Sequence, residues 1–229
     1  MGMFFTAHLF RPYVAPDIPK SVLNAARAIG AYAQPTENKH GNNVLRISEK
    51  NGVYTAICPY SDGRSYFISQ LAREFADDDG CIGLDARIQG GEHWDYSLRL
   101  TGMQLDSFST CPYAFADDNL IAMSQKGRPD MLAEAWDIPV ASIERYLRPW
   151  RELDPSDCSK NIEQTGKAYP TDEFEYGDYN QLFDLLKKLD FRDGATWHFE
   201  LRIPKVNHSL KRHFVEDLSD IASERSNNK

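Results

Sequence analysis

Two runs of strict alternation separated by a glycine pair limit what this chain can fold into more than any other feature. In "CIGLDARIQ" Ile82, Leu84, Ala86 and Ile88 fall on one side, and in "HWDYSLRL" Trp94, Tyr96, Leu98 and Leu100 do the same. A period of two sends successive side chains to opposite faces of a strand, so both runs describe strands with one buried and one solvated face. Thr101-Gly102 turns the chain into "MQLDSF", a third strand of the same meander. The polar complement (Asp85, Arg87, His93, Asp95, Ser97, Arg99) is what the wet face of an antiparallel sheet requires. This register predicts Trp94, Tyr96 and Leu98 buried and Asp95 and Arg99 exposed.

The flanking segments add hairpins and helices. Residues 3 to 14 are apolar and β-prone up to "APDIP", where Asp17 can cap a helix and Pro19 suits its first turn. Val22, Ala25, Ile29 and Tyr32 then recur at helical spacing until the polar "QPTENKHGNN". Asn51-Gly52, between "VLRIS" and "VYTAICPY", predicts a two-residue hairpin over residues 43 to 58, because both residues tolerate positive φ. Phe67, Ile68, Leu71 and Phe75 form the stripe of a helix that stops at "DDDG", with Gly80 as its left-handed cap. "RPDMLAEAW" and "IPVASIERYLRPW" read as two short helices. Asp178 can cap another, with Leu182, Leu185, Leu186 and Leu189 inward. "TWHFELRI" alternates again with His198 on its polar face, and the tail carries Leu210, Phe214, Leu218 and Ile221 at helical spacing.

Several classes of function lose support from composition. A net charge of -8 argues against a nucleic-acid binder, since counterion release needs clustered Lys and Arg facing phosphate. No stretch reaches the ~20 apolar residues that cross a bilayer, and the start lacks a basic region followed by an apolar run, so no membrane role and a cytoplasmic location are expected. Cys58, Cys81, Cys111 and Cys158 form no CxxC pair and are expected to be reduced thiols. The six histidines never occur as HxH or HExxH, "ADDDG" lacks the ligand pattern of a calcium loop, and no phosphate cradle ending in GK[ST] occurs. No metal and no cofactor are therefore expected.

Two groups of residues can carry function. His93, Asp95, Asp106 and Cys111 lie within one short stretch, and Cys111 as thiol nucleophile with His93 as base and Asp95 as orienter would make a hydrolase. Against this, alternation alone accounts for His93 and Asp95, and no glycine-rich turn or helix start follows Cys111 to bind an oxyanion. The second group is "YPTDEFEYGDYN". The segment from Arg151 to Tyr179 holds three basic against eight acidic residues, and within it Asp172, Glu173, Phe174, Glu175, Tyr176, Asp178 and Tyr179 place aromatics in a negative field. Aromatic anchors with complementary charge fit the surface that meets a basic partner. The competing reading has the aromatics tucked back onto the core beneath a soluble acidic loop.

"WDYSLRLTGMQLDSFSTCPYAF" followed by "AEAWDIPVASIERYLRPW" resembles a pattern of uncharacterised bacterial proteins, over about residues 64 to 150. Its parts are an aromatic strand, a Gly turn, Asp-x-Phe-Ser, a Pro-aromatic pair and short helices ending in Tyr-Leu-x-Pro-Trp. Such small acidic proteins are similar in style to immunity proteins, and the resemblance implies a non-enzymatic inhibitor that occludes a basic toxin, for instance a nuclease. It assigns no catalytic residue. The expected architecture is α+β, a mostly antiparallel sheet of hairpins with helices packed on one face. Residues 1–229 would form a single domain with an acidic loop at about 151–179, or alternatively two lobes divided near 155. Oligomeric state is open.

Overall fold

The computed structural model describes residues 4–39, 41–58, 64–76, 80–91, 93–101, 103–112, 125–150, 166–192 and 194–203. The tail stripe from Leu210 to Ile221, Cys158 and residues 151–165 of the acidic segment lie outside them. In chain order the elements are β1 (Phe5–Pro12), α1 (Ile18–Ala28), β2 (Tyr32–Pro35), β3 (Val44–Lys50), β4 (Val53–Ile57), α2 (Arg64–Phe75), β5 (Cys81–Gln89), β6 (His93–Leu100), β7 (Met103–Ser109), α3 (Pro129–Trp136), a 3-10 turn (Val140–Ser142), α4 (Gln181–Lys188) and β8 (Trp197–Arg202). The strands make one eight-stranded sheet, ordered β2-β8-β3-β4-β1-β5-β6-β7. Every pairing in it is antiparallel, giving an α+β fold. β8, which follows residue 155, pairs with β2 and β3 inside this sheet.

Local chemistry explains most boundaries. The Asp17 carboxylate accepts from the Lys20 N–H at 3.2 Å and opens α1, with proline in the first turn. Gly30, at φ 67°, closes it: the Ala31 and Gly30 N–H groups donate back to the Ala26 and Arg27 carbonyls. That stop frees Tyr32 from the predicted helical stripe and starts the short edge strand β2. Asn51 and Gly52, at φ 53° and 79°, turn β3 into β4. Gly80 is not the cap of α2, which ends at Phe75; at φ 100° it leads into β5, where a Cβ would stand 2.4 Å from the Thr101 hydroxyl. "IPVASIERYLRPW" forms the 3-10 turn and further turns, yet still buries Ile143, Tyr146 and Leu147. Asp178 lies ahead of α4 and takes the Asn180 N–H, whereas the residue at the helix start, Asn180, makes no side-chain cap.

The helices are divided between the two faces of the sheet. On one face α1 and α2 cover β1, β4, β3 and β8, burying Phe10, Leu45, Ile47, Ala56, Phe67, Leu71 and Phe199. On the other, α3, α4 and the turns between them cover β1, β5, β6 and β7, burying Leu9, Leu84, Ile88, Trp94, Tyr96, Leu98, Tyr146 and Leu182. Within each half of the sheet the helices therefore occupy one face, as the alternation of the strands requires, and the occupied face changes at β1. Leu9 and Phe10 mark the crossing, since neighbours on that strand enter different cores. Trp136 Nε1 donates to the Leu189 carbonyl at 3.1 Å and ties α3 to the end of α4.

Among the described residues, no helix lies over two polar half-faces. One lies over β5, β6 and β7 on the α1/α2 side, the other over β4, β3 and β8 on the α3/α4 side.

Candidate functional site

The first half-face carries His93, Asp95 and Cys111. Trp94, Tyr96 and Leu98 are buried as the register predicts, and Arg99 is partly exposed. Asp95 departs from expectation at 6% exposure. Arg87, directly opposite it across β5 and β6, donates from Nε and places its Nη2 on the same carboxylate oxygen at 2.6 Å, and Gln89 Nε2 donates to the other oxygen at 2.6 Å. These long side chains lie over the short carboxylate and exclude water from it, so a residue on the polar face becomes buried.

A second carboxylate is held in the same way. The His8 ring Nδ1 meets Asp85 at 2.6 Å, and Arg99 Nε stands 3.4 Å from its other oxygen. Burial by itself would push the Asp85 carboxyl up; His8, then Arg99 and Arg87, outweigh that and hold it below the ordinary carboxylate range. Asp106 lies on the core side of β7, past a bulge at Leu98/Arg99, where it accepts from the Tyr96 hydroxyl at 2.7 Å and the Arg128 N–H at 2.8 Å. Both carboxylates serve to tie strands together.

The register does bring the two catalytic candidates to neighbouring positions. Asp95 pairs with Ser109, and the Thr110 N–H donates to the Trp94 carbonyl at 3.0 Å, so continuing the ladder by one step sets Cys111 alongside His93. Other groups there already have partners. Both Asp95 oxygens accept from Arg87 and Gln89. The N–H groups beside the thiol, which would have to bind an oxyanion, are also spoken for: Thr110 donates to Trp94 and Cys111 to the Ser109 hydroxyl at 3.1 Å.

The acidic-aromatic segment separates into anchors and outward groups. Asp172 is not exposed: at 5% exposure it accepts from the Tyr146 hydroxyl at 2.7 Å and the Tyr169 N–H at 2.9 Å. Burial, then Asp172, pushes the Tyr146 hydroxyl well above its ordinary range, so it remains a donor. Asp184 of α4, 3% exposed, accepts from the N–H groups of Glu173 and Phe174 at 3.0 and 2.9 Å. Tyr176 donates to the Arg145 carbonyl at 2.7 Å, and Tyr176 and Tyr179 pack against the core while Asp178 is half-buried. Glu173 and Glu175 are exposed and Phe174 is half-buried. Tyr169, Tyr176 and Tyr179 thus lean on the core.

The charge here is also less one-sided than the sequence suggests. Lys187 pairs with Glu173 at 2.8 Å, and Arg145 and Lys188 lie over the Tyr169 ring at 5.5 and 5.6 Å. Asp184 and Tyr146, which organise this surface, were not singled out from the sequence. Asp184 sits among leucines of a helical stripe, and only the return of the 166–176 loop shows what it holds. Among the described residues no group of three or more His, Cys, Asp or Glu could hold a metal ion, and no helix is long and apolar enough to cross a membrane. Comparison with family models, curated proteins and solved structures yields no significant match to this chain.

Proposed function

We propose that this protein is a non-enzymatic binding protein, an immunity-type inhibitor that occludes a basic protein toxin through the surface around Glu173, Phe174, Glu175 and Tyr176. The observation that carries the reading is the anchoring of that surface from beneath. Buried Asp172 and Asp184 hold the backbone of residues 169 to 174 through charge-assisted hydrogen bonds, so the outward glutamates are presented by a rigid support. Preorganisation lowers the ordering cost of association, which suits an inhibitor. No cation pairs with Glu175 among the described residues, and the chain's net charge of -8 adds a long-range pull on a basic partner.

The test is capture from host lysate with the full chain as bait, beside a Glu173→Lys/Glu175→Lys variant. The reading requires a basic protein whose toxic activity the purified chain suppresses, and whose association slows in the variant, most clearly at low salt. Suppression of that toxin with unchanged kinetics by the variant would place the inhibitory surface elsewhere. A cysteine hydrolase is the second reading, favoured by the adjacency of His93 and Cys111 on the ladder. It requires turnover of an ester or thioester that Cys111→Ser abolishes.

A further inference from the structure

The second polar half-face, over β4, β3 and β8, is a site of different character. Arg46 and Ser48 of β3, Thr55 of β4 and His198 of β8 project on the side that α3 and α4 leave open. Lys39 from the preceding loop and Arg192 from the turn before β8 close the rim of a concavity of about 250 Å³. That volume lies just below the ~300 Å³ at which pockets for larger organic ligands begin, and it suits one compact group.

We propose that this concavity binds the phosphate group of a small phosphorylated molecule. The proposal is independent of the inhibitor reading and concerns a different part of the surface. Its first support is charge without compensation. Arg46 stands directly beside His198 across β3 and β8 and points into the concavity. Among the described residues no acid lines the concavity, Arg46 makes no ion pair, and the Arg192 guanidinium reaches only the Glu49 carbonyl, at 3.4 Å. Of the described acids on the neighbouring strands and turn, Glu200 is held by Arg202, Gln34 and Asn43, and Asp190 by Lys50 and Asn51. On the other polar half-face both arginines, Arg87 and Arg99, have an aspartate.

The second support is an unmet hydrogen-bonding group. Thr55 is 2% exposed, lines the concavity, and its hydroxyl has no partner. A buried hydroxyl left so is unfavourable, and a ligand oxygen would satisfy it. Its cross-strand neighbour Ser48 donates to the Arg192 carbonyl at 2.8 Å, which fixes the turn carrying that guanidinium. Guanidinium groups from two sides, an ammonium at the rim and a hydroxyl below supply more donors than the two oxygens of a carboxylate can use, and they suit the three terminal oxygens of a phosphate. The concavity is too small for a nucleic-acid backbone to follow, and the net charge opposes one.

Calorimetric titration of the full chain with inorganic phosphate, ribose 5-phosphate and succinate, at ionic strength matched with sodium chloride, tests this. Saturable binding of at least one of the two phosphates, tighter than succinate, is expected. Arg46→Gln and Arg192→Gln, both at exposed side chains, should each weaken it about tenfold or more. Thr55→Val should weaken it too, and Lys187→Gln, away from the concavity, should leave it unchanged. A tighter ester than free phosphate identifies the ligand as a phosphorylated small molecule; equal affinity identifies phosphate itself, and either supports the site. No saturable binding of either phosphate, binding that survives Arg46→Gln and Arg192→Gln together, or succinate binding as tightly as phosphate would overturn the proposal.

Discussion

Asp172→Ala should destabilise the fold by several kcal/mol, although the segment around it reads as a solvated acidic loop. The carboxylate accepts two hydrogen bonds, from the Tyr146 hydroxyl at 2.7 Å and the Tyr169 N–H at 2.9 Å, and both Asp172 and the Tyr146 ring are buried. A hydrogen bond to a charged acceptor contributes ~1.5 to 3 kcal/mol, and the Tyr146 hydroxyl would be left without an acceptor inside the core. The Tyr169 N–H is closer to solvent and can recruit water, so its loss costs only about 1 kcal/mol. The sum is ~2.5 to 4 kcal/mol, a large part of the ~5 to 15 kcal/mol typical of a domain. In urea, with a slope of ~2 to 3 kcal/mol/M, the midpoint should fall by ~0.8 to 2 M. Tyr146→Phe should lose about half as much, and the double variant little more than Asp172→Ala alone, because both act on one bond. A change within ~0.5 kcal/mol, the range of surface substitutions, would refute the reasoning.

Four further outcomes are expected. Trp94→Ala should cost ~3 to 5 kcal/mol as a large-to-small core change, and Asp95→Ala ~1 to 3 kcal/mol through the loss of its bonds from Arg87 and Gln89, both read by urea denaturation; an Asp95→Ala variant as stable as the parent would show that this ion pair is idle. Burial, against a weaker pull from Arg64, pushes the Cys58 thiol up to about 12, so iodoacetamide near neutral pH should label Cys111 before Cys58 in the folded chain, as mass spectrometry of the digest would show. Because the folded Asp85 carboxyl sits below its unfolded value, its contribution is complete above about pH 4 and is lost as pH falls through the folded value. Acid unfolding curves of Asp85→Asn should therefore be shallower there than those of the parent, and identical slopes would remove Asp85 from the acid response.

What was legible in the sequence was what depends on neighbours along the chain. The alternation of β5 and β6 placed Trp94, Tyr96 and Leu98 in the core, Asn51-Gly52 set the β3–β4 hairpin, Asp17 and Pro19 began α1, and the leucine stripe of α4 faced inward throughout. Periodicity, caps and positive-φ turns are local, so they survive without knowledge of the fold. They define an α+β chain with an antiparallel sheet. Tertiary structure alone decided which side each helix takes, since a strand such as β1 offers apolar residues to both faces and only the sheet order shows that coverage changes there. It also decided the fate of the polar groups. Asp95 is buried because Arg87 and Gln89 fold over it, Asp172 because Tyr146 comes back beneath it, and Arg46 gathers with Arg192 and His198 because β8 inserts between β2 and β3. A charge on a strand or in a loop reads as solvated until the partner brought by a distant segment is known, and that partner is set by strand order, which no local pattern encodes.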